Sequence, residues 1–269
     1  MLSASRLCGT ESSLRLDMHL RFGRHGSRDS GETSRTGEEV NMELIRFSDR
    51  IWYSTFEEER DRPCLGYIRG DNWSMAVDAG HSDAHVEEFY AAIETKHLPL
   101  PKLTVITDWH WDHAFGMHRV NGLSIANSKT NRHLREYAVK VAKEGEEPFL
   151  SLDTSIRKEY EGGRPVVIVP ADIEFDHTLR LDPGGISVFL STSVSPHTDD
   201  TTLIYVPEEK FLFVGDCICG VFPTWEKDSQ KTEDLIRTIE GIEAQHCLGG
   251  HWTLLTKEEL LTALREDTI

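Results

Sequence analysis

Long apolar runs are missing from this chain of 269 residues, and basic residues are in short supply. No uninterrupted apolar stretch approaches the roughly 18 residues needed to cross a bilayer, and no signal-peptide-like hydrophobic segment opens the chain, so neither membrane association nor secretion is expected. Lys and Arg number 29 against 46 Asp and Glu, a formal net charge of −17. A non-specific nucleic-acid binder needs a basic face to displace counterions, which sets that class of partner aside. The acidic excess itself serves solubility and says little about a small-molecule substrate. Cysteine is sparse and scattered. Cys8, Cys64, Cys217, Cys219 and Cys247 are odd in number and contain no Cys-x-x-Cys pair, so there is no sign of a disulfide framework or a zinc ribbon. Their free-thiol look favours a reducing cytoplasm. Lysine is absent from residues 1–41, which are rich in Ser, Gly and Arg and show no sustained period. That stretch reads as a disordered leader, and its six acidic residues weigh against a transit peptide. The fold is expected to start at Met42, with residues 42–269 forming one domain.

His and Asp, by contrast, are concentrated. The run Thr107-Asp108-Trp109-His110-Trp111-Asp112-His113 places two imidazoles and two carboxylates in six consecutive positions after the strand-like Leu103 to Ile106. Imidazole and carboxylate are ligand types that borderline divalent metals prefer, and open α/β architectures place their chemistry at strand ends. Three further pieces complete the pattern: His197 in Ser195-Pro196-His197-Thr198-Asp199-Asp200, Asp216 after Phe211 to Gly215, and His251 after Gly249-Gly250. Each lies beside a glycine or a turn residue, which lets the backbone approach a shared centre.

The order of these pieces resembles the metallo-β-lactamase superfamily, in which a His-x-His-x-Asp-His motif is followed by a lone His, a bridging Asp and a final His. Asp78-Ala79-Gly80 is similar to the family's early Asp-x-Gly element, and the resemblance covers roughly residues 43–255. It implies an αββα sandwich, two mixed sheets between outer helices. It also implies a binuclear centre with Asp108, His110 and His197 around one metal ion, Asp112, His113 and His251 around a second, and Asp216 bridging. Two divalent ions are expected, Zn2+ first, with Mn2+ or Fe2+ as alternatives. A metal-bound hydroxide would then attack the substrate, and Asp112 would orient it and carry its proton. Asp108 departs from the family, which has His there. Three carboxylates against two divalent cations leave a single net positive charge, so the bound water is less acidified and oxygen-preferring metals compete better with zinc.

The rest of the chain supports an α/β reading. Ile51 to Thr55, Cys64 to Arg69 and Ser74 to Val77 are short β-prone runs. Ser82 can cap a helix whose Val86, Phe89, Tyr90 and Ile93 share a face. Residues 128–162 are helix-like with a break at Gly145, either flanking the site or forming a solvated surface pair. Leu179 to Asp182, Ile186 to Leu190, Thr202 to Val206 and Phe211 to Val214 form a second strand group. A helix through Leu235 and Ile239, then one begun by the capping box Thr256-x-x-Glu259, close the chain. If the metal run is extended, Trp109 and Trp111 share one face opposite His110, as core residues. Cys217 is expected in the core, His118 at the surface, and Phe222 and Trp225 on a rim loop as candidate apolar substrate contacts.

These features favour a hydrolase of a small-molecule ester-like bond, of the lactone, thioester or β-lactam type. Two other classes remain in view: a mononuclear iron oxygenase of the sulfur-dioxygenase type, for which Asp108 and two His supply a 2-His-1-carboxylate set, and a non-catalytic metal binder.

Overall fold

Residues 42–266 are described by the structure, a computed structural model; the leader proposed for residues 1–41 lies outside them. The β-prone runs after Met42 pair in sequence order. β1 (Leu44–Arg46), β2 (Ile51–Ser54), β3 (Gly66–Arg69) and β4 (Ser74–Val77) form an antiparallel meander, which β5 (Leu103–Val105), β6 (Leu123–Asn127) and β7 (Ile173–Phe175) extend by parallel pairing. Successive side chains point to opposite faces, so each strand feeds two cores. Ile51, Ile68, Met75, Val77 and Val105 point inward. Trp52, Tyr67 and Ala76 point outward, where α1 (Asp83–Thr95) covers them with Phe89, Ala92 and Ile93. As predicted, Ser82 caps α1, accepting from the amide of His85.

The second sheet runs in the order β13-β12-β11-β10-β9-β8, from β8 (Thr178–Leu181), β9 (Val188–Thr192), β10 (Thr202–Val206), β11 (Phe211–Gly215), β12 (His246–Gly249) and β13 (Leu255–Thr256). It is mixed as well: β11 and β12 are parallel and the other pairs antiparallel. Val188, Leu190, Ile204, Val206, Phe211 and Phe213 meet the inward residues of the first sheet, while Leu203, Leu212, Val214 and Cys247 face helices on the far side. Each such side chain, fully buried, contributes about 1.5–3 kcal/mol. The connecting helices on the first sheet's side are α2 (Trp111–Ala114), α3 (Ser128–Glu144), α4 (Glu147–Leu150) and α5 (Thr154–Glu159). The outer face of the second sheet carries α6 (Ser229–Glu240) and α7 (Lys257–Glu266). The capping box that starts α7 is formed: the Thr256 amide donates to Glu259 Oε2 at 2.7 Å and the Glu259 amide to Thr256 Oγ1 at 3.2 Å. Two mixed sheets between outer helices make the αββα sandwich that the family resemblance implied.

Two features of this topology place the site. Parallel pairing of β4 with β5, and of β11 with β12, ends all four strands at one edge of the sandwich. The β9–β10 connection returns to that same edge, because β10 runs antiparallel to β11. The chain segments carrying Asp78, Asp108 to His113, His197, Asp216 and His251 therefore meet there.

Candidate metal centre

The run from Asp108 leaves β5 and turns at once into α2 instead of staying extended, and Trp109 and Trp111 still pack into one hydrophobic cluster, as core residues were expected to. Trp109 stacks on the His110 ring at 4.6 Å, and Trp111 is buried, its indole N–H donating to Asp61 Oδ2 at 2.8 Å. The turn gathers the seven predicted residues into two groups. Asp108, His110 and His197 form one, and Asp112, His113, Asp216 and His251 the other, with the candidate ligand atoms of each within 4.8 Å of one another. All are buried except His251, which is partly so.

Glycine makes this density attainable at two points. A Cβ on Gly250 would lie 2.4 Å from Asp216 Oδ1 and 2.9 Å from His113 Cε1. Gly215 has φ +53°, and a Cβ there would lie 2.7 Å from Thr107 Oγ1. Any side chain at either position would push the second sheet away from the ligand turn.

Two of the imidazoles, His113 and His197, are aimed by an acceptor outside both groups on the other ring nitrogen, a detail that sequence alone could not name. His113 Nδ1 lies 2.9 Å from Asp78 Oδ2, and Asp78 is fixed in turn by the amide and hydroxyl of Thr107. His197 Nδ1 lies 2.7 Å from the Gly220 carbonyl oxygen. Both contacts turn Nε2 toward the centre, as in metal sites where an outer acceptor sets the tautomer. His251 Nε2 points at Asp112 Oδ2 at 2.8 Å. In the first group Asp108 Oδ1 accepts the His110 amide at 2.9 Å and lies 2.9 Å from His110 Nδ1, which leaves Oδ2 without a hydrogen bond among the described residues.

Charge is strongly coupled here. Burial opposes ionisation of Asp108, yet His113 and His110 outweigh it and hold the carboxyl well below its usual range. Asp112 behaves alike, with burial overcome by His113 and His251. Burial likewise opposes a charged His251, but Asp216 and Asp112 raise it to about 10. Burial, then the Asp108 carboxylate, lifts the neighbouring Asp200 to about 6. The donor set fits a divalent cation on one plain observation: His113 Nε2 and Asp216 Oδ1 are buried inside the second group with no hydrogen-bond partner. Orphaned buried polar atoms are costly, and coordination of a cation would satisfy both.

Residues 67–241 match the sequence profile of the metallo-beta-lactamase superfamily. The chain belongs to this superfamily. Among curated relatives, it is 26% identical over 192 residues to the beta-lactamase-like protein 2 homolog of Caenorhabditis elegans, a match covering 68% of this chain and 53% of that protein. The chain thus spans about half the length of that relative. Among solved structures, a metallo-beta-lactamase from Pontibacter korlensis superposes with a TM-score of 0.63 at 18% identity, over 84% of this chain and 98% of that one. The metallo-beta-lactamase FIM-1 from Pseudomonas aeruginosa, in a mono-zinc form, gives 0.60 at 15% identity, over 86% and 96%. At such identities these likenesses show the fold alone. Members of the superfamily generally bind divalent metals, and membership supports a metal-dependent hydrolase in general terms. No helix among the described residues is long and apolar enough to cross a membrane.

Other sequence expectations sort out around the centre. Cys217 lies in the core between the second sheet and its helices. His118 is exposed and bonds the backbone of its own turn, at Phe115 O. α3 flanks the site: Thr130 on it donates to Asp200 Oδ2 at 2.7 Å, and Tyr137 packs on Trp109. Phe222 packs on Trp111 at 5.0 Å and Trp225 on Phe222 at 5.7 Å, on the loop whose Gly220 aims His197. Asp61 and Arg62 carried no sequence signal; Asp61 accepts from Trp111 within the run, and Arg62, the next residue, ties this segment to α1 and α5.

Proposed function

We propose that this protein is a hydrolase that cleaves a carbonyl-centred, ester-like bond of a small molecule, of the lactone, thioester or β-lactam type, with two divalent ions held by the two ligand groups. The observation that carries this reading is the pairing of the groups at one strand edge, with two buried donor atoms otherwise unsatisfied. Asp108, His110 and His197 would hold one ion, Asp112, His113 and His251 the other, and Asp216 would lie between them. When bound, such ions activate water and polarise the scissile carbonyl. The chain's own residues do the rest. Asp112 orients the attacking water and carries its proton toward the leaving group, and Asp78 and the Gly220 carbonyl keep the imidazoles aimed. Phe222 and Trp225 supply an apolar wall for the substrate. The compartment we propose is the cytoplasm, and the partner a small molecule rather than nucleic acid.

Each group contains one terminal carboxylate and two imidazoles once Asp216 is shared. That composition suits manganese and iron as well as zinc. It also supports a second reading, an iron oxygenase using Asp108, His110 and His197. A panel of lactone, thioester and β-lactam substrates, assayed beside thiol-dependent oxygen uptake, separates the two. Hydrolysis lost on chelation and regained with Zn2+ or Mn2+ supports the first reading. Oxygen uptake without hydrolysis, on iron-loaded protein, supports the second, and no turnover by either assay leaves a non-catalytic metal binder.

A further inference from the structure

Four consecutive residues between the 3-10 turn Glu58–Arg60 and β3 run beside the centre and tie its turns to the neighbouring helices. Asp61 accepts the Trp111 indole N–H. Arg62, 1% exposed, pairs with Glu159 at the end of α5 at 2.7 and 3.1 Å and with Glu88 on α1 at 2.9 Å. Glu159 is also the acceptor for the Ser82 hydroxyl. Pro63 lies 3.2 Å from the point where a side chain on Gly250 would begin, and the Cys64 amide donates to Gly250 O at 2.7 Å. The loop is thus anchored from below by Arg62. It touches the His251 turn on one side and the Asp112–His113 turn on the other.

Asp61 is the unusual member. Its backbone is left-handed, at φ +52°. A non-glycine residue keeps such a conformation where its surroundings fix it, and Asp is among the side chains that tolerate it. The Glu57–Arg62 bridge and the Asp61 amide bond to Glu58 O set that turn, and the turn presents the Asp61 carboxylate to Trp111, which stands in sequence between His110 and Asp112. The Trp111 ring meets His110 edge-on at 5.7 Å and Phe222 at 5.0 Å. Rotation of that indole would displace the start of α2, and with it both ligands that α2 presents.

We infer that Asp61 is a positioning residue of the second ligand group, acting through the Trp111 indole to hold the α2 turn in its ligating geometry. This rests on the proposal that the group holds a metal ion. Its carboxylate faces Asp112, His251 and His81, so a purely electrostatic role is the rival explanation. The two make different demands: a hydrogen bond needs only an acceptor oxygen, whereas a field effect needs the charge.

The test is calorimetric titration of the full chain with Zn2+ in a His197→Ala background, which disables the first group and isolates the second. Outer partners of metal ligands are commonly worth about 10–100-fold in affinity, so Asp61→Leu is expected to weaken Zn2+ binding at least about tenfold. Asp61→Asn, which keeps an acceptor oxygen, is expected to stay within about threefold of the parent. Trp111→Phe, which keeps a ring and removes only the N–H, should weaken binding as Asp61→Leu does, and the double variant should be no weaker than either single one. Unchanged binding in Asp61→Leu, or additive losses in the double variant, would overturn the inference. So would Asp61→Asn binding as poorly as Asp61→Leu, since charge would then be the cause. Absence of Zn2+ binding in the His197→Ala parent would instead overturn the metal reading itself, and this inference with it.

Discussion

In the first group the partners of the imidazoles are a backbone carbonyl and a member of the group itself, since His110 Nδ1 lies against Asp108 Oδ1. The Gly220 carbonyl takes the His197 ring, and the His110 amide takes Asp108. His113 in the other group is backed instead by the buried carboxylate of Asp78, which two bonds from Thr107 fix in turn. A carboxylate behind an imidazole makes the ring a stronger donor and restricts its rotation more than a carbonyl does. The second group thus holds the imidazole backed by a carboxylate from outside both groups, and of the two groups it alone contains buried atoms with no hydrogen-bond partner among the described residues. The lesson is that similar donor lists need not give similar sites, because the residues behind the ligands set how ready each one is.

Several substitutions bear on this difference. The largest effect is expected from Asp112→Asn, which leaves a side chain of the same shape at the heart of the second group but removes its capacity to carry a proton. Hydrolysis should fall by about 10²–10⁴-fold, read as kcat on whichever ester-like substrate is turned over. A loss of less than about tenfold would move the proton-carrying role elsewhere. Next comes Asp78→Asn, expected to weaken the second ion by about 10–100-fold while the first is nearly unaffected. Equal weakening of both in a stepwise titration would erase the contrast between the groups.

Proton release gives a subtler check. His251 at about 10 and His113 well above its ordinary value are protonated in the metal-free protein near neutral pH. Metal uptake must displace those protons, so apparent affinity should rise with pH between about 6 and 9 and titrations in buffers of different ionisation enthalpy should differ. Affinity independent of pH would mean that neutral imidazoles are already present. The smallest effect is a negative one. Burial pushes the Cys64 and Cys247 thiols up to about 12, so neither should react with a disulfide reagent at pH 8 until the chain unfolds.

Much of this was legible in the sequence. The run from Asp108 to His113 and the later His197, Asp216 and His251, which the structure draws into two groups, were readable as candidates through their resemblance to the superfamily's motifs. The capping residues Ser82 and Thr256 were readable because they act locally. Harder to read were β6, β7 and β12. Leu123 to Asn127 is followed at once by α3, Ile173 to Phe175 has only three residues, and Cys247 to Gly249 ends in glycines, so none shows a full strand period. The turn at α2 was hidden because Trp109 and Trp111 fit an extended alternation equally well. Asp61, Arg62 and the acceptor role of Asp78 depend on residues 50, 97 and 35 positions away, and no local pattern records contacts of that range.

Counting metal ions in the loaded protein tests the central claim most directly. Elemental analysis of the chain and of Asp108→Ala, each loaded with Zn2+ or Mn2+ and desalted, should give about two ions per chain in the parent and about one in the variant. About one ion in both would contradict the account, because Asp108 would then not be a ligand and the paired groups would not work as a binuclear centre.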